Sequence, residues 1–304
     1  MNKNVLTAKT QAHTKSILTK GIVYILLIDI GFVFLYPIIY MLITSLMTTE
    51  DLVNPTIKWL PTHLELSNFK QVWQVLDYPK SLLNSVWYSV ACALLQTLSC
   101  ALMGYALARF PVPAKKLWIA LLVVIFIIPA NVVTIPRYVL FNNYGLIGSP
   151  LAMLLPALTG QGLKSSIFIF IFMSAFSSYP KAFDEAAELD GAGKLKIFFR
   201  IALPMAIPII VLSVVFSLVW YWNDVSHCGL LIGSDFQTLP LELKAFDAEF
   251  GSMFSAAYGD VSNRLNERYQ MTATIMVIAP LVVVYGFLQN FFVKGIEASG
   301  ITGE

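Results

Sequence analysis

Long apolar segments separated by polar connections dominate the 304-residue chain. A helix needs about 20 mostly apolar residues to cross a lipid bilayer, and six segments reach that length. The pattern therefore predicts an all-α integral membrane protein, a bundle of six transmembrane helices. The predicted spans are Gly21–Leu46, Leu82–Ala108, Leu117–Ile135, Leu151–Phe176, Pro204–Ser226 and Tyr269–Val293.

The composition excludes a soluble protein. Hydrophobic residues make up 57% of the chain and charged residues 12%, with a mean hydropathy of +0.72, whereas soluble domains average about 25% charged residues. The net charge of +2 gives no indication of a nucleic-acid partner. The three cysteines, Cys92, Cys100 and Cys228, form no paired motif, so neither a disulfide framework nor a metal site is predicted.

Lysine and arginine predict the orientation, because cytoplasmic connections carry an excess of them. The basic N-terminal segment resembles a signal peptide, but the apolar stretch after it is too long for one and no small-residue cleavage site follows. We therefore predict a retained first helix and two cytoplasmic termini. The predicted divisions are an N-terminal segment over 1–20, a permease domain over 21–293 and a C-terminal tail over 294–304.

Two long connections, Met47–Lys80 and about Cys228–Arg268, then lie on the outer side. They carry Trp, Pro and mixed charge, so they could form short helices that meet an extracytoplasmic partner. Solvated connections are the alternative, and the sequence favours neither.

The second span carries small residues at every fourth position, which places them on one helix face. Small faces let helices approach closely in lipid, so we interpret this one as a packing surface rather than a ligand site. The face consists of Ser81, Ser85, Ser89, Ala93, Thr97 and Ala101.

The fourth span is interrupted by Thr159-Gly160-Gln161-Gly162, and Lys164 follows. Irregular backbone at membrane depth is tolerated only where it is buried in protein or lines a cavity, and an ionisable residue there is costly. The segment is a candidate for the translocation pathway; the alternative is a bent helix with Lys164 snorkelling or ion-paired. For Asp29, in the first span, we expect a structural partner on a neighbouring helix.

The fifth span ends in Trp220-Tyr221-Trp222-Asn223-Asp224. Aromatic residues with polar handles suit a membrane interface and equally suit stacking on sugar rings. The interface is the preferred interpretation for Trp220. The candidate substrate-pathway residues are Gly160, Gln161, Lys164, Trp222, Asn223 and Asp224.

A polar cytoplasmic loop over 177–203 separates the fourth and fifth spans. Pro180 can open a short helix, and Gly191 can end it in a left-handed conformation. A second helix would place Leu195, Phe198 and Phe199 on one face. Two short amphipathic helices indicate a docking element, and an interfacial helix on anionic lipid is the alternative.

This loop resembles the signature of ABC importer permeases, E-A-A, three residues, G, nine residues, I-x-L-P. The resemblance implies a type I ABC importer permease fold and a coupling helix that sits in a cleft of an ATPase subunit. Glu185 and Gly191 would carry the coupling role. The residues implied in coupling are Glu185, Ala186, Ala187, Asp190, Gly191, Ile201, Leu203 and Pro204.

Other segments resemble the maltose-type second permease of carbohydrate importers: Asn84-Ser85, Gly104–Phe110, Tyr144-Gly145-Leu146, Trp222-Asn223-Asp224 and Leu288–Gly295. Asn266–Tyr269, before the last span, resembles permeases for complex oligosaccharides. The implied partners are a homologous permease, two ATPase subunits and an extracytoplasmic binding protein. ATP and Mg²⁺ would bind the ATPases, and no cofactor is expected in this chain.

The sequence gives little support to an enzyme. It contains no HExxH or GxSxG motif, and the nearest approach to a phosphate-binding loop, Glu188–Leu195, lacks the first glycine and the final Ser or Thr. A secondary, ion-coupled transporter is the stronger alternative, although the chain has one broken helix and no convincing internal repeat. The tail Gly300–Glu304 departs from the family pattern, so its contact with the ATPases is not predicted.

Overall fold

The computed structural model describes residues 3–54, 56, 59–233, 235–258 and 263–298, and these residues form helices and connections without a strand. The tail residues 299–304 lie outside the described part. The helices are α1 (Lys3–Ser45), α2 (Thr49–Val53), α3 (Ser67–Val75), α4 (Tyr78–Arg109), α5 (Lys115–Ile127), α6 (Ala130–Asn143), α7 (Leu151–Leu158), α8 (Ser165–Ser178), α9 (Ala182–Leu189), α10 (Lys194–Ile197), α11 (Leu203–Met205), α12 (Ile207–Trp222), α13 (Val225–Leu231), α14 (Leu239–Tyr258) and α15 (Asn263–Ala298). A π-helical turn, Phe198–Ala202, joins α10 to α11.

Three described helices are each long and apolar enough to cross a membrane: Thr19–Ser45 of α1, Tyr78–Arg109 and Asn266–Gln289 of α15. Three further pairs of shorter helices, each bent at a short break, also pass the test. The described residues therefore hold up to six spans if each pair is one span.

The chain separates into two compact units, and the larger comprises 74–249 and 276–304. Helix α4 is its centre and contacts α7, α8 and α12. All six members of the small-residue face of α4 are buried. The packing interpretation of this face is confirmed.

The smaller unit comprises 1–73 and 250–275. Asn68 Nδ2 donates to the carbonyl oxygens of Ser45 and Met47 at 2.9 and 3.0 Å, which fixes the connection after α1. The Tyr40 hydroxyl donates to Glu267 Oε1 at 2.7 Å. Asp29 is exposed on α1 and has no ion-pair partner within the described residues, so the partner expected for it is not in this part of the chain.

The third predicted span, Leu117–Ile135, is wrong as one continuous helix. Helix α5 ends at Ile127, and Ile128 is extended at ψ 124°. The cause is Pro129, because a proline disfavours helical backbone at the residue before it. Two shorter helices, α5 and α6, stand where one was predicted.

The fourth predicted span is interrupted where the glycines predicted it. Helix α7 ends at Leu158 and α8 begins at Ser165. The fifth begins later than predicted, because the short helix α11 intervenes and α12 starts at Ile207. Both long outer connections contain helices, α2 and α3 in one and α13 and α14 in the other.

Candidate functional site

A buried hydrogen-bond network holds the break between α7 and α8. Gln96 Nε2, on α4, donates to the Leu163 carbonyl at 2.9 Å and to Ser217 Oγ at 3.0 Å. The Tyr221 hydroxyl donates to Gln96 Oε1 at 2.6 Å and accepts from the Leu163 amide at 3.2 Å. The irregular backbone of the break thus receives its hydrogen bonds from two neighbouring helices, as backbone buried away from water requires.

The same break requires glycine for space. A Cβ on Gly162 would overlap with Gln96 Oε1 and the Tyr221 hydroxyl. The end of α7 is tied down by Ser99 Oγ, which donates to the Ala157 carbonyl at 2.7 Å. The break is therefore a packed, hydrogen-bonded segment.

A cavity of about 1320 Å³ lies beside the break. Most of its lining is apolar, from α4, α5 and α8, and a few polar side chains converge on it. Pockets of this kind are typical of ligand sites. The polar lining residues are Thr134, Arg137, Gln161, Lys164, Ser165, Ser166, Asn223, Asp224 and His227.

The structure brings five of the six candidate pathway residues, Gly160, Gln161, Lys164, Asn223 and Asp224, to this cavity. Trp222 is not in its lining and is 5% exposed. Trp220 lines the cavity instead. Residues two apart lie on nearly opposite sides of a helix, so the two tryptophans cannot share this surface.

Lys164 has left-handed backbone at φ 53°, which is costly for a residue with a Cβ. Its Nζ lies 4.5 Å from the centre of the Trp220 ring, within the range of a cation–π interaction. No carboxylate among the described residues forms an ion pair with it. Lys164 is therefore a cavity-lining cation held over an aromatic ring.

Asp224 presents one free oxygen within the described surroundings. Its Oδ1 accepts from the His227 amide at 3.1 Å and lies 3.0 Å from His227 Nδ1. Its Oδ2 is buried and has no hydrogen-bond partner. A buried carboxylate oxygen without a partner is costly, so Asp224 is a cavity-lining carboxylate with one unsatisfied oxygen.

The loop over 177–203 forms a helix, a glycine turn and a second short helix. Gly191 has φ +77°, and no atom lies within 4 Å of the position of a Cβ there. The Gly191 amide donates to Glu188 O at 3.0 Å and the Ala192 amide to Ala187 O at 2.9 Å. The predicted left-handed end of the first helix is confirmed.

The coupling residues taken from the signature lie along this loop. Glu185 is exposed in the first turn of α9, Ala186 and Ala187 follow within it, and Asp190 is its C-cap. Beyond the turn, Ile201 lies in the π-helical turn and Leu203 and Pro204 in α11. No contact of these residues with another chain is part of the structure.

The predicted apolar face of the second helix is wrong. Phe198 is buried together with Ile197, whereas Leu195 and Phe199 are 69% and 50% exposed. The physical reason is the packing of Phe198 against Tyr105 and Phe176, with ring centres 5.1 and 6.2 Å apart, which turns Phe198 and Ile197 toward the core and leaves Leu195 and Phe199 outside.

Arg109, the last residue of α4, joins this helix to the loop. Its Nη2 donates to the Tyr179 carbonyl at 2.6 Å, and its guanidinium carbon lies 3.6 Å from the centre of the Tyr179 ring. Its Nε forms an ion pair with Asp184 Oδ2 at 3.5 Å. The Tyr179 hydroxyl donates to Asp184 Oδ1 at 2.8 Å; burial and this hydrogen bond raise the pKa of Tyr179, which keeps the donor protonated.

With this geometry established, comparison with known proteins identifies the family. The family model described as "Binding-protein-dependent transport system inner membrane component" matches residues 100–298. This chain belongs to that family. It is a multi-pass membrane permease subunit of an ABC importer and is not itself an enzyme. Membership of a binding-protein-dependent family excludes the secondary transporter.

Relatives of similar length support this assignment. The osmoprotective compounds uptake permease protein GgtD of Synechocystis sp. is 28% identical, covering 99% of this chain and 98% of the relative. The arabinooligosaccharides transport system permease protein AraQ of Halalkalibacterium halodurans is 25% identical, covering 97% and 99%. A crystal structure of a bacterial ABC transporter involved in alginate import matches with a TM-score of 0.76 at 23% identity, covering 91% of this permease and 98% of that chain. The permease therefore has the fold of that transporter chain.

Sequence reasoning missed two groups of residues in the permease. Gln96 and Tyr221 hold the break; the signal for Gln96 was an amide inside an apolar span, which needs a buried partner. Arg109 and Asp184 hold the loop; the signal was an arginine at the end of a span opposite an acidic helix start. Neither sequence signal names the partner, so the pairs emerge only in three dimensions.

Proposed function

We propose that this permease forms half of the translocation pathway for a sugar or oligosaccharide. It would pair with a homologous permease, two ATPase subunits and an extracytoplasmic binding protein, with both termini cytoplasmic. ATP and Mg²⁺ would be held by the ATPases, and this chain would need no cofactor. The name of AraQ, an arabinooligosaccharide permease, supports a sugar substrate, and that of GgtD refers to osmoprotective compounds.

The observation that carries the proposal is the form of the loop over 177–203. It combines a polar sequence with exposed apolar side chains: Phe183, Leu189 and Leu195 are 49%, 90% and 69% exposed. Exposed apolar side chains rimmed by charge are typical of protein interfaces. We propose that these three side chains contact the cleft of an ATPase subunit.

The cavity supports the substrate half of the proposal. Its wall combines the Trp220 ring with the Asp224 carboxylate and the amides of Gln161 and Asn223. An aromatic surface beside hydrogen-bonding groups fits a sugar ring and its hydroxyls. Gly160, Gln161, Lys164, Asn223 and Asp224 would line the pathway, and Trp222 would support it from behind.

The coupling role is tested by Gly191→Asp and Glu185→Ala in the assembled transporter. Both proteins should insert normally, while substrate uptake and substrate-stimulated ATP hydrolysis fall. Lys181→Ala, an exposed change in the same loop, is the matched control and should keep wild-type rates. Wild-type uptake in both loop variants at matched expression would mean that this loop is not the coupling element.

The substrate class is tested by uptake of labelled arabino-oligosaccharides, raffinose and glycine betaine into cells. Uptake of either sugar, competed by the unlabelled sugar and reduced severalfold by Asp224→Asn, supports the proposal. Uptake of glycine betaine alone would overturn the sugar assignment. Transport by the purified chain in liposomes without ATP would overturn the proposed assembly.

A further inference from the structure

We propose that Arg109 is a positioning residue that transmits movement of the coupling helix α9 to the membrane break at 159–164 through α4. The inference rests on the proposed coupling function of the loop. It adds a specific connection between the loop and the pathway, which the signature residues Glu185 and Gly191 do not provide.

The buried Arg109 side chain contacts Tyr179 and Asp184, and these two residues also contact each other. Its side chain is 4% exposed and that of Asp184 is 14% exposed. It stacks on the Tyr179 ring, donates to the Tyr179 carbonyl and pairs with Asp184, and the Tyr179 hydroxyl binds the same carboxylate. Tyr179 caps the end of α8, and Asp184 is in the first turn of α9. The end of α4 is thereby attached to both helices that flank the start of the loop.

The chemistry requires arginine at this position. A lysine could supply the charge, but it lacks the planar group that stacks on the Tyr179 ring, donates to the Tyr179 carbonyl and holds its charge 3.5 Å from Asp184. A buried ion pair seldom adds net stability over apolar residues, so stability alone is a weak reason to build one here. A fixed geometry between two elements is a better-attested use of such a pair.

Helix α4 continues from Arg109 to the other end of the connection. Gln96, on the same helix, binds the Leu163 carbonyl in the break. The thirteen residue steps from Gln96 to Arg109 span about 20 Å of continuous helix at about 1.5 Å per residue. A displacement of α9 would therefore reach the break through Asp184, Arg109, α4 and Gln96. Position between two sites does not by itself demonstrate coupling, so the connection needs a direct test.

The loop offers a matched control for such a test. Lys194 and Glu188 also form an ion pair in the loop, but their side chains are 58% and 44% exposed. Exposed pairs contribute little. Removing this pair with Lys194→Gln changes charge in the same loop and leaves the Arg109–Asp184 pair in place. Lys194 Nζ also lies 5.9 Å from the centre of the Phe110 ring, at the end of α4, so the control includes the loss of that weaker contact.

The decisive measurement is amide hydrogen exchange of the peptide covering 159–164 in the complete transporter, with and without ATP. In the wild type, ATP should change its exchange rate severalfold. Arg109→Lys should abolish that change while the ATP-dependent change in α9 persists, and Lys194→Gln should retain both. An ATP-dependent change at 159–164 that survives Arg109→Lys, or that is absent from the wild type, would overturn the proposal.

A second variant covers the case in which Arg109→Lys does not assemble. Tyr179→Phe removes only the hydroxyl that binds Asp184 and leaves the ring and carbonyl in place. It should assemble with normal amounts of ATPase and normal basal ATP hydrolysis, and reduce the ATP-dependent change at 159–164 by at least half. An unaltered change, or loss of basal hydrolysis together with assembly, would mean that the cluster has only a structural role.

The same variants distinguish failure of the proposed Arg109 connection from failure of the proposed coupling function of the loop. If Gly191→Asp lowers uptake but Arg109→Lys and Tyr179→Phe leave uptake and exchange unaltered, the loop couples by another route. If Gly191→Asp is also silent, the coupling function of the loop fails first.

Discussion

Two glycines at interruptions of this permease, Gly162 in the break at 159–164 and Gly191 in the loop, are required for opposite reasons. At Gly162 the space of a Cβ is already filled by Gln96 and Tyr221. At Gly191 the space around a Cβ is open, and glycine is favoured because the backbone has a positive φ. The first interruption is held by side chains of other helices, and the second by its own backbone.

The difference follows from the surroundings of each segment. Water can satisfy the backbone groups of an exposed turn, so the turn at Gly191 needs only a residue that can adopt a left-handed conformation. Membrane depth offers no water, and each free backbone group must find a protein partner. The break is therefore surrounded by contacts, and the turn is nearly free of them.

The largest effect is expected from Gly162→Val. The side chain would displace Gln96 or Tyr221 and break their hydrogen bonds, costing about 3 kcal/mol or more from overpacking and unsatisfied groups. The amount of folded protein in detergent and its thermal midpoint measure the loss. Gly193→Val is the control, because Gly193 has an open Cβ position and no positive φ; equal losses at 162 and 193 would contradict the comparison.

The next largest effect is expected from Gln96→Leu. The change keeps a similar volume but leaves the Leu163 carbonyl and the Tyr221 hydroxyl without their partner, at a cost of about 1–3 kcal/mol. The measurement is the denaturation midpoint of the purified complex. An unchanged midpoint would mean that the break does not depend on α4.

Two substitutions at Gly191 distinguish the cost of backbone strain from the cost of side-chain size. Gly191→Val should cost about 1–3 kcal/mol of local stability, because a β-branched residue resists positive φ. Gly191→Asn should cost less, because asparagine tolerates this conformation. Hydrogen exchange of the α9 amides and substrate uptake should both rank the variants Gly, Asn, Val. Equal behaviour of Asn and Val would argue that something other than backbone conformation requires glycine.

The smallest effect is expected from Thr97→Val. Thr97 neighbours Gln96 but bonds from α4 to α12, with its Oγ1 3.1 Å from Ser213 Oγ. Hydrogen bonds between membrane helices average about 0.6 kcal/mol, since each hydroxyl can turn to a carbonyl of its own helix. A double-mutant cycle with Ser213→Ala measures the pair. A coupling as large as the effect of Gln96→Leu would remove the distinction between holding a break and joining two regular helices.

The sequence predicts features that depend on one segment. Gly191 ends α9 because its place after a short helix needs only local backbone geometry. The small face of α4 is buried because period and residue size determine packing. The interruption after Leu158 follows from two glycines and a lysine in an apolar span. Each conclusion uses residues that are neighbours in the chain.

Features that depend on two segments could not be predicted. Trp222 belongs to the motif that resembles carbohydrate permeases, but α12 is rotated so that Trp220, and not Trp222, faces the cavity. The division of the third span depends on Pro129 and on whether neighbouring elements accommodate two helices. The partners of Gln96 and Arg109 lie 67 and 70 positions along the chain, beyond any local pattern.

The π-helical turn at Phe198–Ala202 also affects how many residues the loop needs between Gly191 and Ile201. The turn overlaps the end of the nine-residue interval between Gly191 and Ile201, and the Leu203 amide closes it by donating to the Phe198 carbonyl. A π-turn is an α-turn with one residue inserted. Deleting an exposed residue such as Phe199 would let an α-helical turn connect Ile197 to Leu203 with little displacement at either end. The nine residues between Gly191 and Ile201 then include the one extra residue of the π-helical turn. A homologue with eight residues in this interval would be expected to lack that residue, so its alignment gap would fall at this turn and the rest of the loop would keep its position.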